Sequence, residues 1–236
     1  MIRALIIDDE QHAREELEHL VHETGAFELL GSCANAIDAL RRIRIEKPEL
    51  LFLDIEMPVL NGFELLAMIE DELMPHVVFV TAYDEHALKA FEEKTLDYLL
   101  KPVSAERLMK TVNKVRETIR SGKLPQYQVE SLRCIPCQFA NRVKLIHIID
   151  VEHIFSDLTG IHVVTSEGQF FTELTLKILE ERTPLLRCQR QHLVNADKID
   201  EIRLLDNGLA EIKTYLGHLL PVSRRYLRQL KVHLVL

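Results

Sequence analysis

Four stretches in the first half of this 236-residue chain end in side chains suited to phosphorus chemistry. Asp54 closes the apolar run Leu51-Phe52-Leu53 and is followed by Ile55-Glu56-Met57-Pro58; Asp8 and Asp9 close Leu5-Ile6-Ile7. Thr81 closes Val77-Val78-Phe79-Val80, and Lys101, with Pro102 behind it, closes Tyr98-Leu99-Leu100. A carboxylate is a competent nucleophile toward a phosphoryl group. Clustered carboxylates repel one another and call for a cation, and hard oxygen ligands on an open edge suit Mg²⁺. A threonine hydroxyl can bond one phosphoryl oxygen, and a lysine ammonium can pair with another as a point charge. Together these are the groups that an aspartyl-phosphate requires. Taken singly each is ordinary: a lone Asp caps a helix, Lys-Pro is a loop, Asp8-Asp9-Glu10 is a solvated turn. Their joint placement is the signal.

For these residues to meet, the elements that carry them must align. Arg3–Ile7, Glu28–Cys33, Leu50–Leu53, Val77–Val80 and Asp97–Leu100 read as short buried strands. Helical spacing follows each: Ala13–Val21, Ala36–Glu46, Gly62 to about Glu72, about Glu85 to Lys94, and Ala105 to about Arg120. Five β-α cycles predict an α/β doubly wound, five-stranded parallel sheet, because right-handed crossovers lay helices on both faces. Every strand then ends on the same edge. Asp8, Asp9, Asp54, Thr81 and Lys101 converge there although they span more than ninety positions.

Length predicts two domains, each able to bury its own core. Charge divides with them: residues 1–120 carry a net −10 and residues 121–236 a net +2. The acidic half suits a cation site, whereas the total of −8 is no argument for nucleic-acid binding. No apolar run reaches membrane-spanning length and Met1-Ile2-Arg3 leads straight into a strand, so a cytoplasmic protein without membrane association is expected. Four unevenly placed cysteines favour reduced thiols over a disulfide framework.

The combination in the first half resembles the receiver domain of two-component response regulators, over residues 1–120. The residues that carry it are the acidic pair after strand one, Asp54-Ile55-Glu56-Met57-Pro58 with Gly62 beyond, Thr81-Ala82, and Lys101-Pro102. The resemblance implies that Asp54 accepts phosphate from a sensor histidine kinase. It implies Mg²⁺ held by Asp9, Asp54 and the backbone carbonyl of Glu56, with Asp8 acting partly through water. Thr81 and Lys101 would read the phosphate, Tyr98 would turn inward as Thr81 moves, and the Lys101-Pro102 bond would be cis. Asn61-Gly62 stands where Asp-Gly is common, which touches a turn and not the chemistry. Receivers of this kind commonly dimerise on a face that here includes Lys89, Asp97 and Arg107, so a homodimer on phosphorylation is expected.

Residues 121–131, from Ser121-Gly122-Lys123-Leu124-Pro125 onward, break the helical pattern and read as a linker. Beyond it short alternating runs (143–148, 161–165, 169–172, 210–214, 218–222), separated by Thr159-Gly160, Glu167-Gly168 and Asp206-Asn207-Gly208, predict a mainly-β domain over 132–236. Helical patterns are confined to about Thr175–Glu181 and Ser223–Val232. Arg187-Cys188-Gln189-Arg190-Gln191-His192-Leu193-Val194-Asn195 and Val222-Ser223-Arg224-Arg225-Tyr226 resemble the LytTR family of DNA-binding domains. That resemblance implies loops in successive major grooves: Gly160 with His162, Gln189 with Arg190, and Arg224 with Arg225. Arg can take a guanine edge bidentately and Gln an adenine edge. Asn195 reads as a turn-holding side chain. Cys134-Ile135-Pro136-Cys137 has the spacing of redox and zinc sites, but it lacks a second pair and opens a β domain, so no metal or redox role is assigned.

The chain is thus expected to be a phosphorylation-controlled transcription regulator acting on promoter DNA. It is not expected to be an enzyme beyond its own slow phosphorylation and dephosphorylation. The rival readings are an aspartyl-phosphate phosphohydrolase, for which Glu56 is a poor second acid and no cap domain is evident, and a regulator whose second half binds protein.

Overall fold

A computed structural model describes residues 1–82, 96–125, 127, 131–139, 142–205 and 208–234. The helix expected near 85–94, with Lys89, and the Asp206-Asn207 part of the hairpin signal lie outside the described residues. The chain divides into two compact units, Met1–Glu130 and Ser131–Leu236.

The first unit is built on five parallel strands, β1 (Ile2–Ile7), β2 (Phe27–Cys33), β3 (Leu50–Leu53), β4 (His76–Thr81) and β5 (Asp97–Leu100), in the order β2-β1-β3-β4-β5. Helices α1 (Gln11–Glu23), α2 (Ala36–Glu46), α3 (Gly62–Ala67) and α4 (Ala105–Arg120) accompany them. All four residues of β3 are fully buried. At roughly 1.5–3 kcal/mol for each fully buried aliphatic or aromatic side chain, the strand is firmly anchored, and it carries the buried carboxylate of Asp54 to the edge of the sheet. One core layer gathers Leu17 and Val21 of α1, Phe52, Val78 and Val80 of the sheet, and Leu108, Val112 and Val115 of α4. Asn35 and Ser104 cap α2 and α4 by accepting from the Asp38 and Arg107 amides, and Asn61 with Glu64 forms a capping box on α3.

Helix α3 is shorter than its apolar spacing predicts. Leu65, Leu66, Ala67, Met68 and Ile69 are all buried, and five consecutive residues cannot share one stripe of a helix. The chain leaves the helix at Met68 and makes a separate 3₁₀ turn at Asp71–Leu73.

Tyr127 lies in the stretch read from sequence as linker and belongs to the first compact unit. Val77 lies where β5 begins, and its carbonyl accepts from Leu96. Its amide donates instead to the Tyr127 hydroxyl at 2.7 Å. The phenol sits at the start of β4, away from the edge where Thr81 ends that strand.

The second unit contains β6 (Cys134–Phe139), β7 (Arg142–His147), β8 (Val151–Asp157), β9 (Gly160–Thr165), β10 (Gly168–Thr172), β11 (Leu186–Gln189) and β12 (His192–Val194) in one antiparallel sheet, ordered β11-β12-β8-β9-β10-β6-β7. A second sheet comprises β13 (Ile199–Leu204), β14 (Ala210–Thr214) and β15 (Leu219–Val222). Helix α5 (Leu176–Arg182) is capped by Thr175, and α6 (Arg224–His233) follows Ser223. Cys188 and Val194 pack with Ile212, Leu220, Val222 and Leu230, which joins the two sheets. Cys134 and Cys137 stand three apart on β6, so their side chains leave opposite faces of the strand. Burial pushes the Cys137 thiol up to about 12.

Replacing Tyr127 with Phe leaves the Val77 amide buried without its partner, at a cost of about 1–3 kcal/mol. Chemical denaturation of the full chain, followed by a probe in the first unit, is expected to show the Tyr127→Phe midpoint lowered with the m-value unchanged.

Candidate functional site

The strand order reverses between β1 and β3, and the crevice beyond their C-terminal ends is where an open α/β sheet offers a site. The register places Ile7 beside Leu53, so Asp8 and Asp54 emerge side by side, and the Asp54 amide donates to the Ile7 carbonyl at 2.8 Å. Ligand oxygens of Asp8, Asp9 and Asp54 lie within 4.8 Å of one another. The Lys101 ammonium bridges two of these carboxylates, 2.6 Å from Asp54 Oδ2 and 2.7 Å from Asp8 Oδ2, with Glu10 at 3.8 Å. Its position is set from the backbone, since the Lys101 amide donates to the Thr81 carbonyl at 2.9 Å. Thr81 is buried at the end of β4. The Lys101-Pro102 bond is cis, as the receiver resemblance implies.

Burial pushes the Asp54 carboxyl above its ordinary value; the Lys101 hydrogen bond and charge pull it down, and Asp8 adds to the rise. Burial draws Lys101 down, but its bonds to Asp54 and Asp8 outweigh this and hold the ammonium above its ordinary value. Three carboxylates facing one ammonium leave an excess of negative charge among hard oxygen donors. The donor chemistry fits Mg²⁺ and offers no nitrogen or sulfur ligand to a softer ion.

The loop after Asp54 is held tightly. The Glu56 amide donates to Asp54 Oδ1 at 3.2 Å. A Cβ on Gly62 would come within 2.5 Å of the Asp54 carbonyl oxygen, so only glycine lets α3 begin this close to the site. Val59 has φ of +73°, and the Leu60 amide donates back to the Pro58 carbonyl at 2.9 Å, a strained three-residue turn on a β-branched residue. Sequence gives no sign of that turn. Nor does it single out Arg14, which reaches from α1 to donate to the Asp8 carbonyl at 2.7 Å.

On the neighbouring face, Arg107 of α4 grips Asp97 with two bonds of 2.9 Å and donates to the Tyr98 carbonyl at 2.7 Å. Its guanidinium lies 5.5 Å from the Tyr98 ring centre, and Tyr98 is half-buried. Thr111 donates to Asp97 at 2.7 Å, and Lys114 approaches to 3.5 Å. Burial pushes the Asp97 carboxyl up, but the Arg107 and Thr111 bonds and the Arg107 and Lys114 charges more than offset it and hold it below its ordinary value.

In the second unit the register aligns His192 of β12, Phe155 of β8, His162 of β9 and Phe171 of β10 across four adjacent strands. Directly opposed residues share a face, and the rings stack: 6.3 Å from His192 to Phe155, 5.0 Å from Phe155 to His162, and 6.2 Å edge-on from His162 to Phe171. His162 also meets Thr159 Oγ1 at 2.7 Å and Asp157 Oδ1 at 3.2 Å, so its Nε2 is engaged within the chain. Gly160 has φ of +132°, and a Cβ there would come within 2.3 Å of the Phe171 ring; backbone conformation and packing together account for glycine at this position. The row reaches the second expected DNA loop, where His192 Nδ1 meets Gln189 Oε1 at 2.8 Å. Arg190 is exposed at the tip of the β11–β12 hairpin, and its carbonyl accepts from Arg187, which in turn pairs with Glu180 at 2.7 Å. The Ser223 amide donates to the Cys188 carbonyl at 3.1 Å, drawing the start of α6, with exposed Arg224 and Arg225, beside that hairpin. Asn195 is buried; it donates to the Ile148 and Val151 carbonyls and accepts from the Asp197 amide, the turn-holding role read from sequence.

This arrangement is that of a two-component transcriptional regulator, and the comparisons agree. Residues 4–113 match the response regulator receiver domain and residues 141–235 match the LytTr DNA-binding domain. An uncharacterized response regulatory protein of Vibrio cholerae is 51% identical over 231 residues, covering 98% of each chain. One of Shewanella oneidensis is 50% identical over 231 residues, again 98% of each. The transcriptional regulatory protein BtsR of Escherichia coli K12 is 47% identical over 236 residues, 98% of each. The chain belongs to the response regulators that join a receiver domain to a LytTR domain. No helix among the described residues is long and apolar enough to cross a membrane.

Because the Asp97 carboxyl is held below its ordinary value, its contribution to stability is complete above about pH 4 and is lost as pH falls through the lower folded value. Asp97→Asn is expected to destabilise the first unit by about 1.5–3 kcal/mol at neutral pH, since it removes the charge from the paired bonds to Arg107 while leaving the Arg107 bond to the Tyr98 carbonyl. It is also expected to flatten the acid limb of the stability curve, which denaturant titrations between pH 3 and 7 would measure.

Proposed function

We propose that Asp54 is the phosphoacceptor of this regulator and that a sensor histidine kinase is the donor. A carboxylate oxygen of Asp54 attacks phosphorus, the P–O bond forms as the P–N bond of the phosphohistidine breaks, and the departing imidazole takes a proton from solvent. The observation that supports this most directly is Lys101 Nζ 2.6 Å from Asp54 Oδ2, with the buried Thr81 at the end of the adjoining strand. One oxygen of an arriving phosphoryl group would take over the ammonium and another the Thr81 hydroxyl. Asp8, Asp9, Asp54 and the Glu56 carbonyl would hold Mg²⁺, which supplies the neutralising charge that lets an anion approach three carboxylates.

Withdrawal of Thr81 toward the phosphate leaves room beneath the Tyr98 ring, and the half-buried ring turns inward, loosening its contact with Arg107. The face carrying Asp97 and Arg107 changes, and the chain dimerises there. Two LytTR domains then meet a direct repeat in promoter DNA, where a second weak contact made at high effective concentration multiplies the first. Gln189, Arg190, Arg224 and Arg225 supply base and phosphate contacts. His162 and Gly160 shape the neighbouring loop, since the imidazole is tied to Asp157 and the glycine is required by Phe171. These events take place in the cytoplasm, where kinase and promoter are both reached.

A small-molecule phosphodonor is expected to raise the affinity of the wild-type chain for a promoter repeat at least about tenfold and to leave Asp54→Ala unchanged, in gel-retardation titrations. Equal wild-type binding with and without the donor overturns the phosphorylation reading. Arg190→Glu with Arg224→Glu is expected to abolish retention while the far-ultraviolet dichroism persists; retained binding would favour a protein-binding output.

A further inference from the structure

Strand β8 opens with a bulge. Val151 pairs with Thr165 and His153 with Val164, so Glu152 is the extra residue, and the alternation of side chains is broken there. Consecutive Glu152 and His153, which a regular strand would send to opposite faces, therefore serve one site. His218, in the turn before β15, completes it: one ligand atom from each of Glu152, His153 and His218 lies within 4.8 Å of the other two. Glu152 Oε2 stands 2.9 Å from His218 Nδ1, and the two imidazole rings meet at 4.9 Å between centres.

The state of these groups points to a ligand. Glu152 is 2% exposed, and among the described residues its side chain is met by His218 and by the Leu216 amide at 2.9 Å, with neither Lys nor Arg. His153 is 4% exposed and its Nδ1 is buried without a hydrogen-bond partner. Such a buried orphan is destabilising unless something not among the protein atoms satisfies it. His218 is half-exposed, so an ion has a path in from solvent and a position open to water.

The geometry points to a second metal site, in the LytTR domain, made by Glu152, His153 and His218 and suited to a borderline divalent transition ion such as Zn²⁺. Two imidazoles and a carboxylate are that ion's donors, whereas Mg²⁺ prefers oxygen alone. With bonds of about 2.0–2.1 Å, tetrahedral ligand atoms stand roughly 3.3 Å apart, and the three donor atoms here lie within 4.8 Å of one another. The ion would fasten the bulge of β8 in the seven-stranded sheet to the β14–β15 turn in the three-stranded one. Six residues beyond His218 comes Arg224, so the fastening steadies a loop that the proposed DNA contact uses.

Zn²⁺ competition against a chromogenic chelator, on the full chain in excess Mg²⁺ to saturate the acidic pocket, is expected to give one tight site per chain. His218→Ala and Glu152→Gln are each expected to weaken it at least tenfold; Gln keeps an acceptor for Leu216, so that variant retains the fold. Co²⁺ in place of Zn²⁺ is expected to give visible absorption of a low-coordinate nitrogen–oxygen site, without the near-ultraviolet sulfur-to-cobalt band that cysteine ligation produces. No Zn²⁺ binding above the Mg²⁺ background, equal binding in both variants, or the sulfur band in the wild type would each overturn the assignment.

Discussion

Everything in the first unit is arranged around one unbalanced charge: the ammonium of Lys101 shared between Asp54 and Asp8, with Asp9 beside them. An isolated buried carboxylate would take a proton, and a fully paired one would have no reason to accept an anion. Sharing one cation among several carboxylates is an intermediate state. It opposes the upward pull of burial on the Asp54 carboxyl and leaves the pocket short of positive charge, which a metal ion fits. That state persists because the scaffold cannot relax around it. Asp54 leaves a fully buried strand, Gly62 closes on its carbonyl with no Cβ to spare, and Lys101 is fixed through its own amide to Thr81.

On the proposed reading, the same tether couples the phosphate site to the face that carries Asp97. The Lys101 amide bonds to the Thr81 carbonyl, and Tyr98 lies three residues before Lys101 on β5 with its carbonyl held by Arg107. On that reading, a change of partner at the Lys101 side chain is felt within one strand by the face that carries Asp97. Arg107 and Asp97 are already satisfied within the chain by two bonds of 2.9 Å. On the proposed reading, a dimer on this face must exchange those bonds across the interface or build on other groups, because breaking a buried pair outright costs more than an exposed pair returns.

The five-stranded parallel sheet, the convergence of Asp8, Asp54, Thr81 and Lys101, and most strand and helix limits of the first unit are legible in the sequence because buried parallel strands read as continuous apolar runs. Strand β8 is not, because Val151-Glu152-His153 breaks the alternation by which a half-buried strand is recognised, and the reason is the bulge itself. The four-residue β11 and three-residue β12 are too short to show a period, so they register only as a motif. The aromatic row from His192 to Phe171 is invisible without the register, since its members come from four strands. Tyr127 is hidden differently: the composition around it is that of a linker, and what ties it down is one hydroxyl meeting one unpaired amide at Val77.

Local rules fail most where two demands meet in one residue. Gly160 matches a family position in a DNA-facing loop, yet its φ of +132° and the Phe171 ring above it account for the glycine without any DNA. His162 matches a contact position, yet its imidazole is stacked on Phe155 and bonded to Asp157 and Thr159. The arginines of the motif stand on the surface: Arg190 is exposed at a hairpin tip, and exposed Arg225 heads α6 with its guanidinium over the neighbouring Tyr226 ring. The physical division of labour follows. On the proposed reading, Gly160 and His162 of β9 fix the shape of the surface, and the exposed arginines, whose guanidinium forks are complementary to guanine and phosphate, supply the contacts.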